Sequence, residues 1–135
     1  MWKRLLTLIG STLLLAWAAS AAVAQAQTAP AAWGELVMFE REGCVWCAQW
    51  DREIAPIYPK TDEARLFPLR RFDLDSRQPS PVALAQPVHF TPTFVLVVCG
   101  KERGRITGYP GEDNFWGLLG EQIKLLQAAQ KTASC

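Results

Sequence analysis

The stretch Leu36-Val37-Met38-Phe39-Glu40-Arg41-Glu42-Gly43-Cys44-Val45-Trp46-Cys47 decides how the rest of the chain is read. Its first four residues are an apolar run closed by charges on the C-terminal side, the pattern of a short buried strand. Gly43 ends the turn that follows. From Cys44 onward, Cys47, Trp50, Ile54 and Ile57 or Tyr58 recur at steps of three and four, which gives a helix one apolar face. Pro56 is expected to kink this helix and Pro59 to end it. Two cysteines therefore stand where a strand gives way to a helix. A thiol in a first helical turn faces unpaired N–H groups and the positive end of the helix dipole, and both favour the thiolate. Cys44 is read as the exposed nucleophile that attacks a disulfide. Cys47, on the face shared with Trp50 and Ile54, is read as the shielded resolving thiol that breaks the mixed disulfide. Two other uses of the spacing compete. A zinc site needs two further ligands, and His89, Cys99 and Cys135 form no second paired spacing. A purely structural disulfide closing so short a loop removes little chain entropy.

Working outward, Leu66 to Leu74 reads as a second strand, and Ser76 to Pro87, with its prolines, as a loop or irregular short helix. Thr93 to Cys99 is rich in β-branched residues and almost wholly apolar, as in a central strand covered on both faces. Gly100 to Gly104 is expected to turn into a strand at Arg105 to Gly108. Asp113 or Asn114 then caps a last helix whose Phe115, Leu118, Leu119, Ile123 and Leu126 share a face. The order is strand, helix, strand, loop, strand, strand, helix, with no internal repeat. Thr91-Pro92-Thr93 opens the central strand. A trans proline there simply starts a strand. A cis Pro92 makes a tight turn beside the cysteines and leaves the Thr91 backbone free to pair with an extended substrate.

The whole chain has 135 residues, 50% hydrophobic and 20% charged, enough for one modest domain and too few for two. A multidomain enzyme carrying its own cofactor module is excluded. Fourteen Lys and Arg against thirteen Asp and Glu give +1, which argues against a nucleic-acid partner. The N-terminus has its own logic: Lys3 and Arg4 precede an apolar run from Leu5 to Trp17, and small residues around Ala24 and Ala26 offer cleavage sites. The expected organisation is a signal peptide at 1–26, a flexible lead-in at 27–32, a domain at 33–130 and a tail at 131–135. Leu5 to Ala24, about 20 residues, is also long enough for an uncleaved membrane anchor. Cleavage removes Lys3 and Arg4 and leaves twelve basic residues against thirteen acidic ones. Export places the chain in the periplasm and makes thiol oxidation persistent there. Four cysteines in a small exported domain suggest two structural bridges, but the spacing predicts one reactive pair and two thiols of lesser role.

These residues together resemble the thioredoxin superfamily. The resemblance rests on Cys44-Val45-Trp46-Cys47 after the first core strand, Thr91-Pro92 before the third, and the closing hairpin and helix, and it covers nearly the whole domain. It implies an α/β minimal thioredoxin fold, a central four-stranded mixed sheet flanked by helices. It also implies Cys44 and Cys47 as the redox pair and a cis Pro92 preceded by Thr91 in the substrate groove. More narrowly, the Cys44 to Cys47 run, Ile57-Tyr58-Pro59-Lys60 and Gly108-Tyr109-Pro110-Gly111-Glu112 look like the periplasmic thioredoxins of bacterial sulfur-oxidation systems, the SoxS type. That similarity implies a reductase serving a sulfur-carrier protein, with a membrane thiol-electron transporter as donor. Two departures stand out. Gly43 precedes the first cysteine where thioredoxins commonly carry Trp, and Met38 takes the strand position that usually supplies a buried carboxylate.

Proton transfer to and from Cys47 then needs another group, and Glu40 is the candidate. Trp46 is a candidate substrate contact, against simple packing on Trp50. His89 reads as a bystander in a loop, Cys99 as a buried structural thiol, Cys135 as a terminal residue open to intermolecular pairing, and Arg70 and Arg71 as a solvated strand end. The expected activity is an exported thiol-disulfide oxidoreductase, mainly a reductase of protein disulfides. It is expected to act as a monomer without metal or other cofactor beyond the Cys44–Cys47 disulfide. The alternatives are a thiol oxidase or isomerase, a cytochrome c maturation reductase and, from another class, a Cu(I) metallochaperone.

Overall fold

A computed structural model describes residues 32–130. The expected signal peptide, most of the lead-in, the tail and Cys135 lie outside the described residues. Strand β1 (Glu35–Glu40) leads into helix α1 (Val45–Glu53), a 3-10 turn at Tyr58–Lys60, the short helix α2 (Asp62–Leu66) and strand β2 (Leu69–Asp73). After a long loop come β3 (Thr93–Val98), β4 (Lys101–Thr107) and α3 (Glu112–Gln130). The strands form one mixed sheet in the order β2-β1-β3-β4, with β1 parallel to β2 and β3 antiparallel to both β1 and β4. The parallel pair requires a crossover, and α1 with α2 supplies it.

Alternation along β1 and β3 divides the interior in two. Leu36, Met38, Phe94 and Leu96 face α1 and α3, where Trp50, Ile54, Phe115, Leu119 and Ile123 complete the larger cluster. Trp50 is fully buried, with ring centroids 5.3 Å from Phe94 and 5.9 Å from Phe115. Val37, Phe39, Val95 and Val97 face the other way and are covered by Val82, with Leu84 and Val88 partly buried beside it. These covering residues come from the proline-rich loop, which forms no helix. The β3 strand is buried along its whole length, as its composition requires.

Several boundaries differ from the expectations. Helix α1 is not kinked at Pro56; it stops at Glu53, with the Ile54 N–H donating to the Trp50 carbonyl. A proline disfavours helical backbone at the residue before it and clashes with the carbonyl four residues back, so the helix closes early. Leu66 belongs to α2, whose Thr61 cap accepts from the Ala64 N–H, and so β2 begins only at Leu69. The hairpin turn is tighter than expected. Cys99 (φ 55°) and Gly100 (φ 71°) form it alone, the left-handed pair that suits a two-residue connection, and Gly104 lies within β4. Cys99 is thus an exposed turn residue and not a buried thiol, and no cysteine among the described residues is free. Helix α3 starts at Glu112, ahead of the expected Asp113 or Asn114 cap; Phe115 N–H reaches the Gly111 carbonyl, and Asn114 donates to the Pro110 carbonyl. Leu118, placed on the buried face by its spacing, is 40% exposed, whereas Phe115, Leu119 and Ile123 are buried.

Candidate active site

The site is built where β1 ends. Gly43 adopts φ 74°, a left-handed conformation that glycine enters without strain, and this turns the chain from the end of β1 into the helix. The departure at this position therefore has a local backbone reason. Cys44 is extended (φ −70°, ψ 107°) and acts as the N-cap of α1, its Sγ accepting the Cys47 N–H at 3.1 Å. Such a contact aims a helix-end donor at the sulfur that has to carry negative charge. Cys44 and Cys47 are joined by a disulfide, with Cα atoms 5.2 Å apart. Cys47 is 4% exposed and packs in the larger core cluster, whereas Cys44 is only partly buried. The helix start thus distinguishes the two sulfurs by access.

Register places a second element at the same end of the sheet. Phe39 lies opposite Thr93 in the antiparallel β1–β3 pair, so the chain leaving β1 toward Cys44 and the chain entering β3 from Pro92 lie side by side at one end of the sheet. The Thr91–Pro92 peptide bond is cis. The turn is pinned by Thr93 Oγ1 donating to the Phe90 carbonyl (2.7 Å) and by Gly108 N–H donating to the Pro92 carbonyl (2.7 Å). Trp46 is 56% exposed and Phe90 69% exposed. His89 is exposed in the loop before them.

Beside the disulfide lies a cavity of about 410 Å³ whose lining includes Glu40, Cys44, Cys47 and Asp51. Arg71, read from sequence as part of a solvated strand end, joins the two carboxylates. Its Nε donates to Glu40 Oε1 (2.8 Å), and its Nη1 and Nη2 donate to Asp51 Oδ1 (2.6 Å) and Oδ2 (3.1 Å). Nη2 also donates to Glu40 Oε2. Hydrogen bonding to Glu40, then to Asp51, raises the Arg71 guanidinium further above its ordinary range. Arg70 is likewise paired, with Glu35 at 3.5 Å. Glu40 therefore reaches the cavity, but as one arm of an ion cluster. The sequence reading missed Asp51 and Arg71. Asp51 carried a signal, standing four residues after Cys47 and hence on the same helical side. Arg71 carried none, because its partners depend on the parallel register that sets it beside Met38. Among the described residues no group of three or more His, Cys, Asp or Glu is arranged to hold a metal ion.

A cysteine pair at a helix start, one sulfur accessible and one buried, on a mixed four-stranded sheet with flanking helices, defines a thiol-disulfide oxidoreductase. Comparison with known proteins agrees: the thioredoxin-like domain family matches residues 20–123, and the chain belongs to that family. The crystal structure of the periplasmic thioredoxin SoxS from Paracoccus pantotrophus, in its reduced form, is 52% identical, with a TM-score of 0.64 over 67% of this chain and 96% of that chain. No curated protein matches the chain.

Proposed function

We propose that this protein is an exported reductase of protein disulfides in the periplasm. The observation that carries the reading is the unequal pair: Cys44 accessible and capped by a helix N–H, Cys47 buried behind it. In the reduced protein the Cys44 thiolate attacks a substrate disulfide. A Cys44–substrate S–S bond forms, the substrate bond breaks and the first substrate sulfur leaves as a thiolate that takes up a proton. Cys47 then gives up its proton and attacks Cys44 Sγ. The mixed disulfide breaks, the second substrate sulfur leaves, and two electrons have passed to the substrate as the Cys44–Cys47 disulfide forms.

Glu40, on the cavity wall, accepts the Cys47 proton. Trp46 packs on the partner, and the Thr91 backbone beside cis Pro92 pairs with an extended substrate segment. A membrane thiol-electron transporter returns the electrons. The 52% identical relative is a periplasmic thioredoxin named SoxS, which supports export to the periplasm; the partner in this reading is a sulfur-carrier protein of sulfur oxidation. The test is a Cys47→Ser trap in the native host, because without its resolving thiol the mixed disulfide persists and identifies the partner. Recovery of a sulfur-carrier protein is the expected result. Recovery of cytochrome c maturation components overturns the partner, and absence of any Cys44-dependent adduct overturns the reductase.

A further inference from the structure

The Glu40–Arg71–Asp51 cluster joins three elements, the end of β1, the middle of β2 and the second turn of α1. One guanidinium occupies both carboxylates through a fork that uses Nε, Nη1 and Nη2. Two acidic groups against one base leave the cluster with an excess negative charge. Both acidic residues line the cavity that both redox cysteines line, and Asp51 lies one helical turn beyond Cys47. The side chains are half-buried: 38% exposed for Arg71, 22% for Glu40 and 41% for Asp51. The other charged groups nearby stand further into solvent, where screening weakens them. Arg41 and Arg52 also line the cavity, but Arg41 is half exposed and paired with Asp75 at 3.6 Å, and Arg52, like Glu42, is exposed.

A like charge near a thiol disfavours its thiolate, and only the reduced pair has a thiolate to disfavour. The disulfide form is neutral and gains or loses nothing. We propose that the Glu40–Arg71–Asp51 cluster sets the redox poise of the cysteine pair, its excess carboxylate destabilising the reduced, thiolate-bearing form so that the couple is a better reductant. Arg71 is the positioning residue of this device. It holds two carboxylates together against the cavity wall and limits their combined charge to one. The inference deepens the reductase reading and rests on it for its physiological sense.

The experiment is the equilibrium of the full-length protein with reduced and oxidised glutathione, together with the pH dependence of Cys44 alkylation by iodoacetamide. It compares Asp51→Asn, Glu40→Gln, Arg71→Gln and Arg71→Lys. Removing either carboxylate is expected to shift the equilibrium toward the dithiol by about threefold or more and to move Cys44 alkylation to lower pH. Arg71→Gln is expected to move both in the opposite direction, and Arg71→Lys, which keeps the charge, to restore them toward wild type. Shifts of one sign in all variants, or none beyond about twofold, overturn the proposal, because a purely structural cluster changes melting temperature without this sign pattern. If Arg71→Gln does not fold, the two carboxylate variants set against Arg71→Lys still decide it. The differences between variants stand apart from the reductase reading, which fails on the wild type alone if that protein does not reduce insulin in the presence of dithiothreitol.

Discussion

The Cys44 sulfur accepts the Cys47 backbone N–H at 3.1 Å, so the reactive residue is also the N-cap of the helix that presents it. Chemistry and helix initiation fall on one atom, and replacements at Cys44 separate the two.

Cys44→Ser keeps a good capping oxygen, whereas Cys44→Ala removes the acceptor. Measured under reducing conditions, the serine variant is expected to be more stable than the alanine variant by about 1 kcal/mol in urea unfolding. Both are expected to have no insulin reductase activity above background, since neither can form the mixed disulfide.

Trp46, more than half exposed between two redox cysteines, has little to stabilise and a surface to offer. Trp46→Ala is expected to leave the melting temperature nearly unchanged. On a protein disulfide it lowers kcat/KM on the order of tenfold, mainly through KM, and on a small disulfide that reaches no further than Cys44 it has little effect.

Tyr109 Oη donates to Glu53 Oε2 at 2.5 Å, tying the segment before α3 to the end of α1. That bond, with a second from Gln49, holds the Glu53 carboxyl below its ordinary value of 4.5. A folded-state value lower than the unfolded one means that the stabilisation is present above the unfolded value and lost as pH falls through the folded one. Burial, then the same bond, pushes the Tyr109 phenol upward, so it remains a donor throughout this range. Tyr109→Phe is expected to flatten the fall in melting temperature between about pH 5 and pH 3, read by calorimetry across that range.

Gly34 admits no side chain, since a Cβ there stands 2.2 Å from the Val97 carbonyl and 2.7 Å from the Phe67 ring. Gly34→Ala is expected to cost about 1–3 kcal/mol, because neither backbone nor buried ring can yield freely. Gly120, in α3 with nothing within 4 Å of its Cβ position, is the control. Gly120→Ala is expected to stabilise by about 0.5–1 kcal/mol. Chemical denaturation of both variants reads the opposite signs.

The fold was legible wherever apolar period and chain direction agreed. Leu36 to Phe39 and Thr93 to Val98 marked the two central strands because both of their faces are buried and every position but Thr93, whose hydroxyl donates to the Phe90 carbonyl, is apolar. Boundaries set by backbone chemistry were harder to read. The early end of α1 ahead of Pro56, the two-residue turn at Cys99 and Gly100, and the short α2 depend on individual peptide groups and not on a repeating pattern. Leu118 had the right spacing but stands on the rim of the helical face, which continues through Phe115, Leu119 and Ile123.

The sequence by itself determined the chemistry available: two cysteines at a strand-to-helix junction, with the helix dipole and the apolar face assigning one sulfur to solvent and the other to the core. Those are local consequences of spacing, and a linear chain carries them. Only the tertiary structure decided what surrounds the sulfurs. Arg71 stands 31 residues from Glu40 and 20 from Asp51, and the three meet because β1 and β2 pair in parallel with α1 crossing between them. A charge contact of that kind is a property of register and crossover, which no stretch of sequence expresses alone.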